Sequence, residues 1–79
     1  MSNYKIGEKD DWDFRLIKRS GRVEMWHKPE THSYKVALYE HINQAEDCLF
    51  HSTKFELHLA EKVYETAVRV VNQSRAEPF

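Results

Sequence analysis

Cysteine, glycine and proline are scarce in this chain of 79 residues, which contains one Cys, two Gly and two Pro. The single cysteine, Cys48, cannot form an internal disulfide, whereas secreted chains of this length usually depend on several. Two glycines, Gly7 and Gly21, are too few for a glycine-rich loop that cradles phosphate. The sequence therefore predicts neither a disulfide scaffold nor a nucleotide-binding fingerprint.

Long hydrophobic runs are also missing. The longest uninterrupted apolar run extends only from Val36 to Tyr39, whereas a membrane-spanning helix needs about 20 apolar residues. The first residues contain no apolar stretch typical of a signal peptide. We therefore expect a cytoplasmic protein that has no membrane partner.

Charge of one sign does not dominate, because 12 Lys and Arg are balanced by 13 Asp and Glu for a net charge of −1. Hydrophobic residues make up 41% of the chain and aromatic residues 13%, a composition typical of a globular protein. The length predicts a single small domain over residues 1–79. Because so short a chain buries a small core, self-association would add stability.

The first half of the chain alternates between apolar and polar residues, as half-buried strands do. A polar, loosely held arm is predicted at 1–11, followed by two basic hairpins at 12–41. The first hairpin has strands at 12–19 and 22–28, joined by Ser20 and Gly21 as a two-residue turn. This turn pairs Arg19 with Arg22, Leu16 with Met25 and Arg15 with Trp26.

The second hairpin turns at Pro29–His32 and continues as a strand over 33–41. It pairs Met25 with Val36 and Val23 with Leu38, so that apolar side chains meet on one face. Residues 42–47 are read as a loop, with a helical turn as the alternative. A short fourth strand is a further option at 48–52.

An amphipathic helix is predicted at 54–74, with Thr53 and Glu56 forming a capping box at its start. Its apolar arc is wider than one packed face requires. We expect one part of the arc to cover the sheet, and the remaining part to form a dimer face. The sheet-covering residues are Leu59, Val63, Ala67 and Val70, and the dimer-face residues are Leu57, Tyr64, Val68 and Val71. Residues 75–79 are expected to be a frayed tail, since Pro78 ends any helix.

These elements predict an α+β two-layer sandwich: a three- to four-stranded antiparallel sheet covered on one face by a single long C-terminal helix. The other face, called here the helix-free face, has no second helix to cover it. Its predicted members are Arg15, Ile17, Arg19, Arg22, Glu24, Trp26, Lys28, Lys35, Ala37, Tyr39 and His41.

Aromatic rings flanked by cations make the helix-free face the candidate binding surface. Residues 14–36 carry six basic and two acidic side chains, a local charge of +4. We expect them to bind an acidic surface of another protein. The candidate partner-binding residues are Arg15, Arg19, Arg22, Trp26, Lys35 and Tyr39.

Metal binding and catalysis have little support in the sequence. Cys48, His51 and His58 do not reproduce the paired ligand spacing of zinc sites. Asp10, Asp11 and Asp13 lack the glycine and terminal glutamate of a calcium loop. A Cys48–His51 or Cys48–His41 dyad would need an orienting third group. We therefore expect no metal, no cofactor and no enzymatic activity.

The resulting hypothesis is a small non-enzymatic binding module that regulates or inhibits a larger protein by occupying a site on it through the helix-free face. A nucleic-acid-binding protein using the same basic and aromatic face is the first alternative. A structural homodimer that assembles through the helix is the second.

Overall fold

The computed structural model describes residues 4–39 and 48–76. Within them the chain forms a four-stranded antiparallel sheet in the order β1-β2-β3-β4, packed against one C-terminal helix. The α+β two-layer sandwich predicted from the sequence is therefore confirmed. The elements are β1 (Arg15–Ser20), β2 (Val23–Lys28), a 3₁₀ turn (Pro29–Thr31), β3 (Ser33–Tyr39), β4 (Cys48–Lys54) and α1 (Leu57–Ala76).

The β2–β3 register is the one that the alternation predicts, since Met25 pairs with Val36 and Val23 with Leu38. The turn between these strands ends at His32, whose φ of 53° lies in the left-handed region. Its backbone N–H donates to the Pro29 carbonyl and closes the turn. The predicted strand residue His41 and the predicted loop 42–47 lie outside the described residues.

The β1–β2 hairpin differs from the prediction by one position at its turn. Ser20 pairs with Val23, so the two-residue turn is Gly21-Arg22 rather than Ser20-Gly21. Gly21 has a φ of 56°, and a turn with glycine at its first central position matches the twist of a hairpin. The glycine therefore fixes which residues form the turn, and the pairing of Arg19 with Arg22 is wrong.

A β-bulge at Ile17 then changes the rest of this hairpin. Beyond it Leu16 pairs with Trp26, and Arg15 pairs with His27. The predicted pairs Leu16–Met25 and Arg15–Trp26 are wrong, because a bulge adds one residue to one strand and exchanges the faces beyond it. Leu16 consequently joins the helix-free face, whereas Ile17 packs against the core beneath the helix.

The fourth strand extends to Lys54, two residues beyond the predicted span. Thr53 pairs with Lys35 in the sheet, so it does not cap the helix. The helix begins at Leu57 instead, and the Ala60 N–H donates to the Glu56 carbonyl. The predicted capping box is wrong, because its first residue, Thr53, is paired within the sheet. At the other end α1 includes residues 75 and 76, and 77–79 lie outside the described residues.

The helix packs on the sheet through a stripe that coincides only partly with the predicted one. Its buried residues are Ala60, Tyr64, Ala67 and Val71. Of the predicted sheet-covering residues, Ala67 is buried and Val63 packs partly buried against the core, whereas Leu59 and Val70 are exposed. Two alanines at the contact let the helix approach the sheet closely, and Tyr64 reaches across to β1, where the Lys18 ammonium lies 4.5 Å from its ring centroid.

The four residues of the predicted dimer face therefore differ in burial. Tyr64 and Val71 are buried against Val23, Met25 and Val36 of the sheet. Val68 is partly buried beside them, and of the four residues only Leu57 is exposed. Tyr64, Val68 and Val71 therefore belong to the core contact rather than to a surface that a second copy would cover.

Candidate binding surfaces

The helix-free face has a buried ion pair at its centre. Arg19 on β1 and Glu24 on β2 are cross-strand neighbours. The Arg19 Nε and Nη2 atoms donate to one Glu24 carboxylate oxygen at 2.8 and 2.6 Å. The Glu24 side chain is fully buried and that of Arg19 is mostly buried. This arginine is therefore part of the structural interior, besides being a candidate contact.

The predicted arm continues to the start of β1, so the name arm is used from here on for residues 4–14. This segment is folded by its own carboxylates. The Lys5 N–H donates to Glu8 Oε1 at 2.6 Å. Asp10 Oδ1 accepts the N–H groups of Trp12 and Phe14 at 2.9 and 3.0 Å. Such aspartate-capped turns offer the backbone local hydrogen bonds in place of a regular element. The arm thus has a defined shape without being helix or strand.

Backbone hydrogen bonds hold the arm along the outer edge of β1. The Gly7 N–H donates to the Leu16 carbonyl at 2.8 Å, and the Leu16 N–H donates to the Glu8 carbonyl at 3.0 Å. Gly7 has a φ of 95°, a conformation that side chains rarely allow. The prediction of a loosely held arm is therefore wrong for its described part, and the arm protects an edge that would otherwise be open.

The arm also covers the helix-free face. The Tyr4 ring meets the Trp26 ring edge-on at a centroid distance of 5.4 Å. Arg19 Nη2 donates to the Tyr4 carbonyl, and Lys35 Nζ lies 3.6 Å from Asp10 Oδ2. Lys35 also lies 4.6 Å from the Phe14 ring centroid. Trp26 is consequently only 2% exposed, which corrects the expectation that its ring is open to a partner.

A cleft of about 250 Å³ remains beside the arm. Its lining combines four aromatic rings with two carboxylates and one ammonium group. The lining residues are Tyr4, Asp10, Asp11, Trp12, Trp26, Lys35 and Tyr39. At its border Trp12 is 72% exposed, whereas Trp26 contributes a buried indole N–H that has no hydrogen-bond partner among residues 4–39 and 48–76. Leaving such a donor unsatisfied costs about 1–3 kcal/mol.

The electrostatic environment of Tyr4 reflects its place in the arm. Partial burial raises the pKa of the Tyr4 phenol, and the nearby carboxylates of Asp11, Asp10 and Glu8 raise it further. Both effects disfavour a negative charge on the phenol oxygen. The ring therefore stays neutral well above physiological pH.

The other predicted contact residues are distributed unevenly. Arg15 pairs with His27, which places it on the helix side of the sheet, and its guanidinium donates to the Gly7 carbonyl. Arg22 lies in the hairpin turn, where its carbonyl accepts from the Tyr39 N–H at 2.9 Å. Tyr39 is on the helix-free face and is buried. Only Arg19, Trp26, Lys35 and Tyr39 of the six therefore come together on this face.

The histidines are dispersed. His27 stacks on Tyr34 at a centroid distance of 4.3 Å, and His58 lies beside Glu56 at the start of the helix. His51 borders a small cleft of about 170 Å³ with Lys35, Ala37 and Tyr39. Within residues 4–39 and 48–76, no three His, Cys, Asp or Glu side chains are grouped as metal ligands would be.

A third recess lies on the opposite layer of the molecule, between β4 and α1. This β4–α1 groove has a volume of about 350 Å³ and is lined by Phe50, Lys62, Val63, Thr66 and Ala67. The sequence pattern does not indicate this groove, because it assigns the helix residues Val63 and Ala67 to the sheet contact. The width of the apolar arc was the signal that some apolar residues would remain outside the core.

Comparison with known proteins adds no relative. No protein family, no curated protein and no solved structure matches this chain. No helix in the described ranges is long and apolar enough to cross a membrane.

Proposed function

We propose that this protein is a non-enzymatic protein-binding module that regulates or inhibits a larger protein by occupying a site on it. The proposed contact surface is the helix-free face, with Arg19, Trp26, Lys35 and Tyr39 at its centre. Arg22 lies at its margin, whereas Arg15 is on the helix side of the sheet. The partner contributes an acidic segment that contains an aromatic residue.

The arm is the observation that carries this proposal, because it is a polypeptide segment already seated on the face. It offers an aromatic ring to Trp26, a backbone carbonyl to Arg19 and a carboxylate to Lys35. A ring, a carbonyl and a carboxylate are groups that a partner chain also presents. The arm therefore indicates the chemistry that this face accepts.

The arm contacts are of a kind that another chain can replace. Lys35 Nζ and Asp10 Oδ2 are 3.6 Å apart, which is longer than a normal hydrogen bond, so this ion pair is loose. In the closed arrangement no described residue accepts a hydrogen bond from the Trp26 indole N–H. A partner that supplies an acceptor to this N–H forms a hydrogen bond that the arm does not form.

A capture experiment from the native host's lysate tests the proposal. The baits are the wild type, a Tyr4→Ala/Asp10→Asn variant that weakens the arm, and a Lys35→Glu variant that reverses charge on the face. Asparagine at position 10 keeps the oxygen that caps Trp12 and Phe14 while removing the charge beside Lys35. We expect one protein to be enriched by the first variant and lost with the second.

Two outcomes would contradict the proposal. Material that disappears on nuclease treatment, and whose binding falls log-linearly with salt, would make the protein a nucleic-acid binder. A partner that tolerates Lys35→Glu and disappears with Lys62→Glu would move the contact to the opposite side of the molecule.

A further inference from the structure

The cleft beside the arm is built from two separate parts of the chain. Four of its seven lining residues belong to the arm, and the other three belong to β2 and β3. Its volume of about 250 Å³ lies just below the range of about 300–1,000 Å³ that is typical of drug-sized ligands. The cleft therefore has room for one small chemical group, and it depends on the arm lying on the sheet.

Negative charge predominates in this cleft, because its lining holds two carboxylates and one ammonium group. Lys35 Nζ is already paired with Asp10 Oδ2 at 3.6 Å. Asp11 is exposed, and within residues 4–39 and 48–76 no cation lies within salt-bridge distance of its carboxylate. Lys5 and Lys9, the two lysines of the arm, do not line the cleft. One carboxylate is therefore left uncompensated beside the aromatic rings.

The Tyr4 ring experiences the same excess of negative charge. Burial raises the pKa of its phenol, and Asp11, Asp10 and Glu8 raise it further. The charged groups that shift this pKa are thus all carboxylates, so the electrostatic potential at the ring is negative. A cation placed beside Tyr4 would therefore be stabilised there.

Aromatic rings form the rest of the lining, and the residues that carry them are Tyr4, Trp12, Trp26 and Tyr39. The face of such a ring attracts a cation, most strongly in the case of tryptophan. The Lys35 ammonium shows this attraction within the fold, since it lies 5.4 Å from the Trp26 ring centroid and 4.6 Å from that of Phe14. Rings clustered around a negative charge are the arrangement by which proteins recognise methylated ammonium groups.

Trp26 adds a polar requirement to the cleft. Its side chain is only 2% exposed, and no described residue accepts a hydrogen bond from its indole N–H. A ligand that carries an oxygen beside its cationic group offers this N–H an acceptor. The cleft is therefore suited to a small cation that also has a hydrogen-bond acceptor.

We propose that this cleft is a binding site for a methylated ammonium group, carried either by a free quaternary ammonium compound or by a methylated lysine of another protein. The cation lies beside the Asp11 carboxylate and against the rings of Tyr4 and Trp12. Because it contacts the arm and the sheet together, it favours the arm in its closed position. This inference goes beyond the proposed function and does not depend on it, since the partner proposed there binds when the arm is displaced.

Tryptophan fluorescence measures the binding directly, because both tryptophans of the chain line the cleft. The full chain is titrated with choline, which combines a trimethylammonium group with a hydroxyl oxygen. A parallel titration uses the uncharged alcohol in which a tert-butyl group replaces the trimethylammonium group, and sodium chloride keeps the ionic strength constant. We expect choline to give a saturable change in fluorescence and the uncharged analogue to bind at least tenfold more weakly.

Two aspartates of the arm provide matched variants. Asp11→Asn removes the uncompensated carboxylate and should weaken choline binding at least fivefold. Asp13→Asn removes the same charge from a residue outside the lining, and asparagine tolerates the φ of 65° at this position; the affinity should not change. Trp12→Leu should weaken binding severalfold, whereas Trp12→Phe, which keeps an aromatic ring, should retain most of it.

Equal binding of the uncharged analogue would overturn the proposal, and so would equal losses in Asp11→Asn and Asp13→Asn or the absence of a saturable signal. A peptide that carries one trimethyllysine then distinguishes the two sources of the cation. Binding at least tenfold tighter than that of choline, and lost in the unmodified peptide, would identify a protein side chain as the ligand. Binding of the peptide no tighter than that of choline would identify a free ammonium compound.

Discussion

Arg19 has two roles that the sequence does not separate. Its guanidinium neutralises the fully buried carboxylate of Glu24, and one of its nitrogens also holds the Tyr4 carbonyl. A buried carboxylate deprived of its cation is costly, because water cannot replace the lost partner. Loss of binding in an Arg19 variant would therefore mix a stability effect with a contact effect. Lys35 is the better position for testing the face.

Arg19→Met should lower the free energy of unfolding by about 3 kcal/mol, since it leaves the Glu24 charge buried without its guanidinium. Urea unfolding measures this directly. The double variant Arg19→Met/Glu24→Met removes both charges and should recover to within about 1 kcal/mol of the wild type. A single variant as stable as the wild type would show that the pair is not buried.

The buried phenol of Tyr64 makes the stability of the fold depend on pH in the alkaline range. Burial raises the pKa of its phenol, and a hydrogen bond with Ser20 opposes that shift. The unfolded chain ionises at the ordinary value of 10.0, whereas the folded chain still holds its proton there. Because the folded state then binds more protons, stability is intact below about pH 10 and falls as pH rises above it.

The free energy of unfolding should therefore fall between pH 10 and the raised pKa of Tyr64. Denaturant unfolding at a series of alkaline pH values measures the slope. Tyr64→Phe, which has no proton to lose, should fall less steeply over the same range. Parallel curves for the two proteins would contradict the burial of this phenol. Tyr4 contributes in the same direction in both proteins.

At the scale of elements, alternation was enough to predict the β2–β3 pairing, because Val23, Met25, Val36 and Leu38 repeat with period two without interruption. The β1–β2 hairpin was not predictable in the same way. A bulge at Ile17 leaves no mark on an alternating pattern, yet it moves Leu16 and Arg15 to the opposite faces. The face membership of Arg15 was wrong for this reason.

The helix orientation illustrates a second limit of sequence patterns. Its length and amphipathic character follow from the periodicity, but the choice among neighbouring stripes depends on how closely the helix approaches the sheet. Small residues at Ala60 and Ala67 and the reach of Tyr64 decide it. Hydrophobicity alone favours larger side chains such as Leu59 and Val70, which lie outside the core.

Adjacent valines on α1 test this orientation. Val71 is 6% exposed and Val70 is 53% exposed. Val71→Ala should lower the free energy of unfolding by about 1.5 kcal/mol, because it removes two buried carbon atoms. Val70→Ala should change it by about 0.5 kcal/mol or less. Chemical denaturation compares the two, and a reversed order would show that the predicted stripe, and not the observed one, faces the sheet.

At the scale of the whole molecule, the arm determines which surfaces are accessible. Its contacts join residues that are distant in sequence, such as Tyr4 with Arg19 and Trp26. No periodic pattern in the sequence predicts such contacts. The sequence could therefore predict which residues belong to the helix-free face more readily than whether that face is covered. The sequence pattern places Trp26, Lys35 and Tyr39 on the correct face. It does not predict that the arm covers them.

Opening of the arm should be visible in tryptophan fluorescence. In a Trp12→Phe background the signal comes from Trp26 alone, which is buried under the arm. Acrylamide should quench it weakly in that background. Adding Tyr4→Ala/Asp10→Asn should increase the quenching constant severalfold, because two of the contacts that hold the arm are removed. Unchanged quenching would indicate that the core, and not the arm, covers Trp26.

The most direct test of the helix-free face as a polypeptide-binding surface is a titration with its own arm. A labelled peptide of residues 4–14 is added to the full-length protein and to its Tyr4→Ala/Asp10→Asn variant. The attached arm competes at an effective concentration of roughly millimolar, so the wild type should bind the peptide weakly. The variant should bind it about tenfold more tightly, and Lys35→Glu in the variant should abolish the gain. Equal affinities for the wild type and the variant would contradict the account, because the arm would then not occupy the site at which the peptide binds.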